Sequence, residues 1–272
     1  MILNKKNFFK EGNKLRLKIL EIIHVSKASH IGSIYSCLDI IFFIYSKIIK
    51  FKKKKSNHDF VLSKGHAGLA LYTCLNKINM ISDKQLNSYY KNGSKLSGHV
   101  SHYGINGVDF STGSLGHGLS IGCGLAYGNV LNNDKKRLTF VVLSDGECDE
   151  GSIWEAALFA SHFKLNNLIC IIDYNKLQSL DTVKKTMNLE PFEKKWQSFG
   201  WSVKKINGHN FNSLSRAFKI NKKNKKPLCI IANTVKGKGV SFMEKNILWH
   251  YRSPSKEELY QARKDLTKRL KI

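Results

Sequence analysis

Proline is nearly missing from this chain: there are three in 272 residues, and arginine supplies only positions 16, 137, 216, 252, 263 and 269 of the 45 basic residues. So little proline excludes a proline-rich spacer, and no Pro/Gly-rich linker divides the chain. No C-x-x-C pair occurs among Cys37, Cys74, Cys123, Cys148, Cys170 and Cys229. Most lie in apolar stretches such as LICIID and LCIIAN, which reads as buried thiols in a reducing cytosol rather than disulfides or zinc ligands. The N-terminus lacks the apolar core of a secretory signal. The longest apolar run, IIFFIY at 40–45, is too short to cross a bilayer. The expectation is a cytoplasmic protein with no membrane partner.

Acidic residues are scarce too, 20 against 45 Lys+Arg, for a formal charge of +25. Such a field could attract nucleic acid, membrane surfaces or anionic substrates. Nearly all of the positive charge is lysine, however, and Asn, Ile and Phe are abundant with it. These are the amino acids of AT-rich codons, so the charge reads first as a compositional bias and nucleic acid is not the expected partner. The lysine-rich runs at 52–55 and 222–226 read as solvated loops at element boundaries. The hydrophobic fraction of 42%, with 15 Phe, is enough for a sizeable core.

Helical spacing of Leu15, Ile19, Ile22 and Ile23 predicts a helix over 13–25, and Gly32 and Ser33 begin a second through Leu38, Ile41, Phe42 and Tyr45. Short apolar strands are expected at 59–63, 138–144, 167–174, 201–206 and 228–234. Helices are expected at 66–77, 118–131, 151–163, 211–220 and 255–270. Residues 91–117, rich in Gly, Ser and His, read as a binding loop. Strands alternating with helices predict an α/β fold, a doubly wound, mainly parallel sheet flanked by helices, in a single domain over 1–272.

In such a sheet, ligands bind at the carboxyl ends of the strands. Asp145 follows one apolar strand and Asn175 the next, with one crossover helix between them. A carboxylate and a carboxamide oxygen on adjacent strand ends, with the Leu177 carbonyl on the same turn, suit Mg²⁺ (Ca²⁺ or Mn²⁺ as substitutes) beside a phosphate. Gly146 would let the backbone approach that phosphate.

The stretch SDGECDEG…IIDYNKLQSLD resembles the thiamine-diphosphate motif, with Ser144 in place of its first glycine. Further segments are similar to the transketolase family: SKASHIG (26–32), FVLSKGHAGLALY (60–72), LSGH (96–99), GVDFSTGSLGHGLSIGCGLAYG (107–128), INGHN (206–210) and KGKGVSFMEKNILWH (236–250). The loop that usually reads G-H-P-E has Val100 and Ser101 here.

The resemblance implies roles for individual residues. Asp145, Asn175 and the Leu177 carbonyl would ligate the metal. His66, Gly113, Ser114, Leu115, Gly146, Glu150, Asn175 and His250 would hold thiamine diphosphate, Glu150 also at a subunit contact. His30, His66, His99 and His250 would surround the reacting carbon, where imidazoles pass protons near neutral pH. His102, His117 and His209 carry no firm assignment, and His58 and His162 read as structural or surface.

The implied activity is transfer of a two-carbon ketol unit from a ketose phosphate to an aldose phosphate, as in the pentose phosphate pathway. The family's pyrimidine-binding and C-terminal domains are not among these residues. The chain therefore resembles the N-terminal subunit of a split transketolase, and a separate C-terminal subunit in a heterotetramer is the expected partner. The alternatives are a subunit of another two-component thiamine-diphosphate enzyme, acting on an unusual sugar or a 2-oxoacid, and a basic nucleic-acid-binding protein on a decayed enzyme fold.

Overall fold

The computed structural model describes residues 4–134, 136–220 and 224–270, so part of the 222–226 lysine run lies outside the described residues. The strands are β1 (Phe51–Lys52), β2 (Lys55–Ser56), β3 (Asp59–Leu62), β4 (Thr139–Ser144), β5 (Leu168–Tyr174), β6 (Ser202–Asn207) and β7 (Leu228–Asn233). The helices are α1 (Lys5–Ser26), α2 (Ile31–Phe43), α3 (Gly68–Lys77), α4 (Asp83–Leu86) and α5 (His117–Leu131). They continue with α6 (Gly151–His162), α7 (Val183–Thr186), α8 (Phe192–Ser198), α9 (Phe211–Ala217) and α10 (Lys256–Leu270).

Strands β3 to β7 form one sheet in the order β3-β4-β5-β7-β6, every neighbouring pair parallel. The expected doubly wound α/β architecture is therefore present. Alternation along each strand divides the core in two. Phe140, Val142, Ile169, Ile171 and Ile230 share one cluster with residues of α1, α2, α3, α9 and α10, while Val141, Leu143, Cys170, Ile172 and Ile231 share the other with residues of α5, α6 and α8. This is why β4 and β5 read as unbroken apolar runs: both faces of a parallel sheet are covered. Each large aliphatic side chain buried this way contributes roughly 1.5–3 kcal/mol. All six cysteines are free and buried.

Helix α1 begins earlier than its apolar spacing suggests, because the Asn4 side chain caps it by accepting from the Asn7 N–H at 2.9 Å. Helix α2 continues through a π-helical turn, Ile44–Ile48, so that Ile31–Ile48 is apolar and 18 residues long. Its length would suit a membrane span, but 83% of it is buried inside the fold, where it is the central helix of the core. The lysine run at 52–55 makes a tight hairpin, with Lys53 and Lys54 exposed at φ 47° and 65°. Helix α8 has no clear apolar period to announce it; Phe192 and Trp196 anchor it.

Candidate functional site

Register pairs Ser144 on β4 with Asp173 on β5, so Asp145 and Asn175 leave adjacent strand ends on the same edge of the sheet. Asp145 is buried. Its Oδ1 accepts from the Gly146 N–H at 2.9 Å and its Oδ2 from the Lys176 N–H at 2.7 Å. Asn175 Oδ1 accepts from the Leu177 N–H at 3.0 Å, and Asn175 Nδ2 donates to Ser36 Oγ at 3.1 Å. Both polar strand ends are thus held in one orientation by partners on three elements.

A cavity of about 280 Å³ opens over these ends, lined by His30, His66, His99, Gly113, Leu115, Asp145, Gly146, Asn175, Leu177 and His250, among others. The sequence-predicted histidines converge from four separate segments. The His30 ring centroid lies 5.2 Å from His66, 6.0 Å from His99 and 5.0 Å from His250. His99 stands exposed at the rim. His30 has φ 73° at the start of α2, a left-handed conformation that costs a non-glycine residue about 1–3 kcal/mol. It is held there by its own N–H donating to the His250 carbonyl at 2.9 Å and by a 2.7 Å contact between its Nδ1 and Ser29 Oγ.

The 91–116 segment has no helix or strand among its residues and closes one side of the cavity. The Val100 N–H donates to the Gly65 carbonyl and Thr112 Oγ1 to the Leu62 carbonyl, at 3.1 and 2.6 Å. Gly65 is required at this approach: a Cβ there would lie 2.3 Å from the Thr112 carbonyl oxygen.

Two charged residues that sequence reasoning did not single out, Lys64 and Lys236, belong to the wall. Lys64, 1% exposed, pairs with Asp173 through an Nζ–Oδ2 contact of 2.5 Å. Burial works against both charges, but the pairing outweighs it, raising the Lys64 pKa and lowering that of Asp173. Lys236 Nζ donates to the carbonyls of Leu177 and Gln178 at 3.0 and 2.9 Å and to His250 Nδ1 at 3.0 Å. Burial first and the Lys64 charge second push it down to about 8. Behind the site, buried Glu147 accepts from Ser63 Oγ, the Ser144 N–H and the Gly116 N–H at 2.5, 2.8 and 3.2 Å.

Burial and neighbouring positive charge act together on the imidazoles. His30 is pushed down to about 4 and His250 to about 3, and His66 lies well below its ordinary value. Asp145 moves the other way, up to about 7, through burial first and the Asp173 charge second. The site therefore combines neutral imidazoles, a carboxylate short of compensating positive charge and two enclosed ammonium groups. Such a set can hold an anion and move protons beside it.

Two predicted residues do not line this cavity. Ser114 is exposed, and Glu150 is exposed at the start of α6. His209 lies elsewhere, clamped between Asp39 Oδ2 at 2.7 Å and the Val235 N–H at 2.9 Å. His102, His117 and His162 are exposed, while half-buried His58 accepts from the Leu138 N–H at 3.2 Å.

Comparison with known proteins adds an independent line. The family profile described as "Transketolase, thiamine diphosphate binding domain" matches residues 10–269. The chain is 39% identical to one subunit of the apulose-4-phosphate transketolase of Phocaeicola vulgatus, over 96% of this chain and 94% of that protein. It is 35% identical to the 6-deoxy-6-sulfo-D-fructose transketolase subunit SqwG of a Clostridium species, over 93% of both. The transketolase of Campylobacter jejuni superposes with a TM-score of 0.88 at 26% identity, covering 97% of this chain. This chain spans 43% of that structure's length and 38% of human transketolase, to which it is 33% identical.

Proposed function

The chain belongs to the transketolase family as its thiamine-diphosphate-binding domain, and on that premise we propose that it is the N-terminal subunit of a two-subunit enzyme that moves a two-carbon ketol unit from a ketose phosphate to an aldose phosphate. The observation that carries this reading is the convergence of His30, His66 and His250, with His99 at the rim, over the strand ends bearing Asp145 and Asn175.

The residues fit the cofactor and its metal. Asp145 is an enclosed carboxylate that burial and Asp173 drive toward protonation, so a hard dication beside it would restore its charge. Asn175 Oδ1 and the Leu177 carbonyl add neutral oxygen donors of the kind that Mg²⁺ prefers. We assign Asp145, Asn175 and Leu177 to the metal, and Gly113, Leu115, Gly146, His66 and His250 to the cofactor. Lys236, enclosed beside His250, suits the diphosphate charge.

Thiamine diphosphate supplies the electron sink when bound. The protein's part is to move protons. His30 and His250, held neutral, accept a hydroxyl proton from the donor sugar and return one to the acceptor. His99 at the rim meets the incoming sugar. The 91–116 segment, pinned to Gly65 and Leu62, keeps water from that side.

A separate subunit would supply the other wall of the site. The names of the relatives that match this chain nearly end to end, each called a "subunit", support that reading. Glu150, exposed at the start of α6, is proposed for the contact with that subunit. An apolar face on α5 and α6, where Val130, Leu131, Leu158, Phe159 and Phe163 stand exposed, is proposed instead for the contact between the two copies of this chain. A heterotetramer with two copies of each chain accommodates these features.

A second reading concerns the sugar. The relatives just named act, by their names, on apulose 4-phosphate and on 6-deoxy-6-sulfo-D-fructose, which favours a less common ketose over a pentose-phosphate substrate. The deciding experiment is a ketol-transfer assay of the assembled enzyme with thiamine diphosphate and Mg²⁺, comparing xylulose 5-phosphate, branched or sulfonated ketoses and 2-oxoacids. Transfer from any sugar sustains the proposal. Turnover of 2-oxoacids alone, or full activity of this chain without a partner, refutes it.

A further inference from the structure

We propose that Ser36, on α2, is a positioning residue that decides which end of the Asn175 carboxamide faces the cavity. The inference rests on the reading of Asn175 Oδ1 as a metal ligand and extends it to the helix behind the site.

The argument is a count of protons. The Asp173 carboxylate is wholly enclosed and paired with Lys64 at 2.5 Å, so it is an acceptor only. Ser36 Oγ donates to Asp173 Oδ1 at 2.6 Å, and Thr234 Oγ1 donates to the same oxygen. A hydroxyl has one proton. With both protons directed at Asp173, the 3.1 Å approach of Ser36 Oγ to Thr234 Oγ1 carries none. Ser36 Oγ is left with lone pairs alone toward Asn175, and there it meets Nδ2 at 3.1 Å.

Turning the carboxamide over would place Asn175 Oδ1 against Ser36 Oγ, two acceptors with no proton between them. It would also set Nδ2 against the Leu177 N–H, two donors where Oδ1 now accepts at 3.0 Å. Each mismatch would leave a part-buried polar group without its partner, which disfavours the flipped orientation. The flipped amide would point N–H groups at any cation beside Asp145. Ser36 is thus more than packing. It carries the fixed polarity of the Lys64–Asp173 pair to Asn175, across three segments that are distant in sequence.

The test measures Mg²⁺ affinity in the assembled enzyme with thiamine diphosphate present, by calorimetry, and folding separately by thermal melting. Ser36→Ala is expected to weaken Mg²⁺ by about tenfold, within the range for partners that orient a metal ligand. In the Asn175→Ala background, where no carboxamide remains to orient, Ser36→Ala should add less than about twofold. Ser36→Cys keeps the size and the S–H donor but is a poor acceptor. It serves if the alanine variant fails to fold, and should show a smaller loss of the same kind. Unchanged Mg²⁺ affinity in Ser36→Ala, or an equal loss in both backgrounds, overturns the role of Ser36. Unchanged affinity in Asn175→Ala and Asp145→Ala overturns the metal assignment itself, a separable failure.

Discussion

Asp145 Oδ2 accepts a hydrogen bond from the Lys176 N–H at 2.7 Å, which ties the end of β4 to the turn after β5 and places the carboxylate beside Asn175. The tie holds a group that burial alone would neutralise, since Asp145 is pushed up to about 7. A dication in the cavity would reverse that pressure. Asp145→Ala should therefore abolish Mg²⁺-dependent binding of thiamine diphosphate by the assembled enzyme. Asp145→Asn, which keeps the shape but not the charge, should weaken it by at least about tenfold. Calorimetry with Mg²⁺ and cofactor checks both, and unchanged affinity in either variant would remove Asp145 from the metal site.

The imidazoles make a prediction about pH. His30 titrates near 4 and His250 near 3, well below the free value of 6.5, because both are buried beside other positive groups. Both stay neutral at physiological pH, so the acid limb of ketol transfer should lie far below 6.5. In stability the sign is fixed. The unfolded chain takes up these protons below about 6.5 and the folded chain does not, so stability falls as pH drops through that window. His30→Asn should flatten this loss in urea denaturation series between pH 7 and 5. It should also lower kcat by about 10²–10⁴-fold at pH 7 if His30 transfers a proton. An unchanged acid slope would contradict the buried, neutral assignment.

The sheet was legible because a parallel strand covered on both faces must be apolar throughout, and β4, β5 and β7 are written that way. Asp145 and Asn175 were legible because a polar residue directly after such a strand has few other reasons to be there. Lys64 was not. In sequence it is one more lysine in a lysine-rich chain, and the carboxylate that makes its burial tolerable is 109 positions away. Glu147 shows the same limit at short range. Glu147 and Glu150 both stand in the SDGECDEG stretch, but the short helical turn Gly146–Asp149 points the first into the core and leaves the second in solvent. Nothing in their spacing alone separates them.

A second buried pair sets a stability prediction remote from the cavity. Arg16 Nη1 and Nη2 donate to Asp39 Oδ1 and Oδ2 at 3.0 and 2.7 Å, and Asp39 also bonds His209. Burial raises the Asp39 pKa, but Arg16 and His209 outweigh it and hold the group below the ordinary carboxylate range. Its stabilisation is present above the unfolded value of 3.8 and is lost as pH falls below it. Arg16→Met removes the guanidinium and leaves that buried carboxylate with His209 alone, which should cost about 3–5 kcal/mol in chemical denaturation. Adding Asp39→Asn should recover part of the loss, and a loss near zero for Arg16→Met alone would contradict the pairing.

The last prediction concerns the exposed face of α5 and α6. The chain averages one Lys or Arg in every six residues, 45 in 272, yet neither helix contains any, and Glu155 is their one carboxylate. Gly124 and Gly128 leave open space above α5, where an added Cβ would meet nothing within 4 Å. The rings of Tyr127, Phe159 and Phe163 cluster beside it at 4.5–5.8 Å. An acidic partner would find no complementary charge on this face. A second copy of the same +25 chain meets least repulsion at a region cleared of lysine, because a two-fold contact sets like residues close to one another. We therefore predict that this face joins the two copies in the proposed heterotetramer. Leu158→Lys with Phe159→Lys should halve the mass of the assembled enzyme in light scattering while the melting temperature of the chain alone changes little. Retention of the full mass would assign the face to another role.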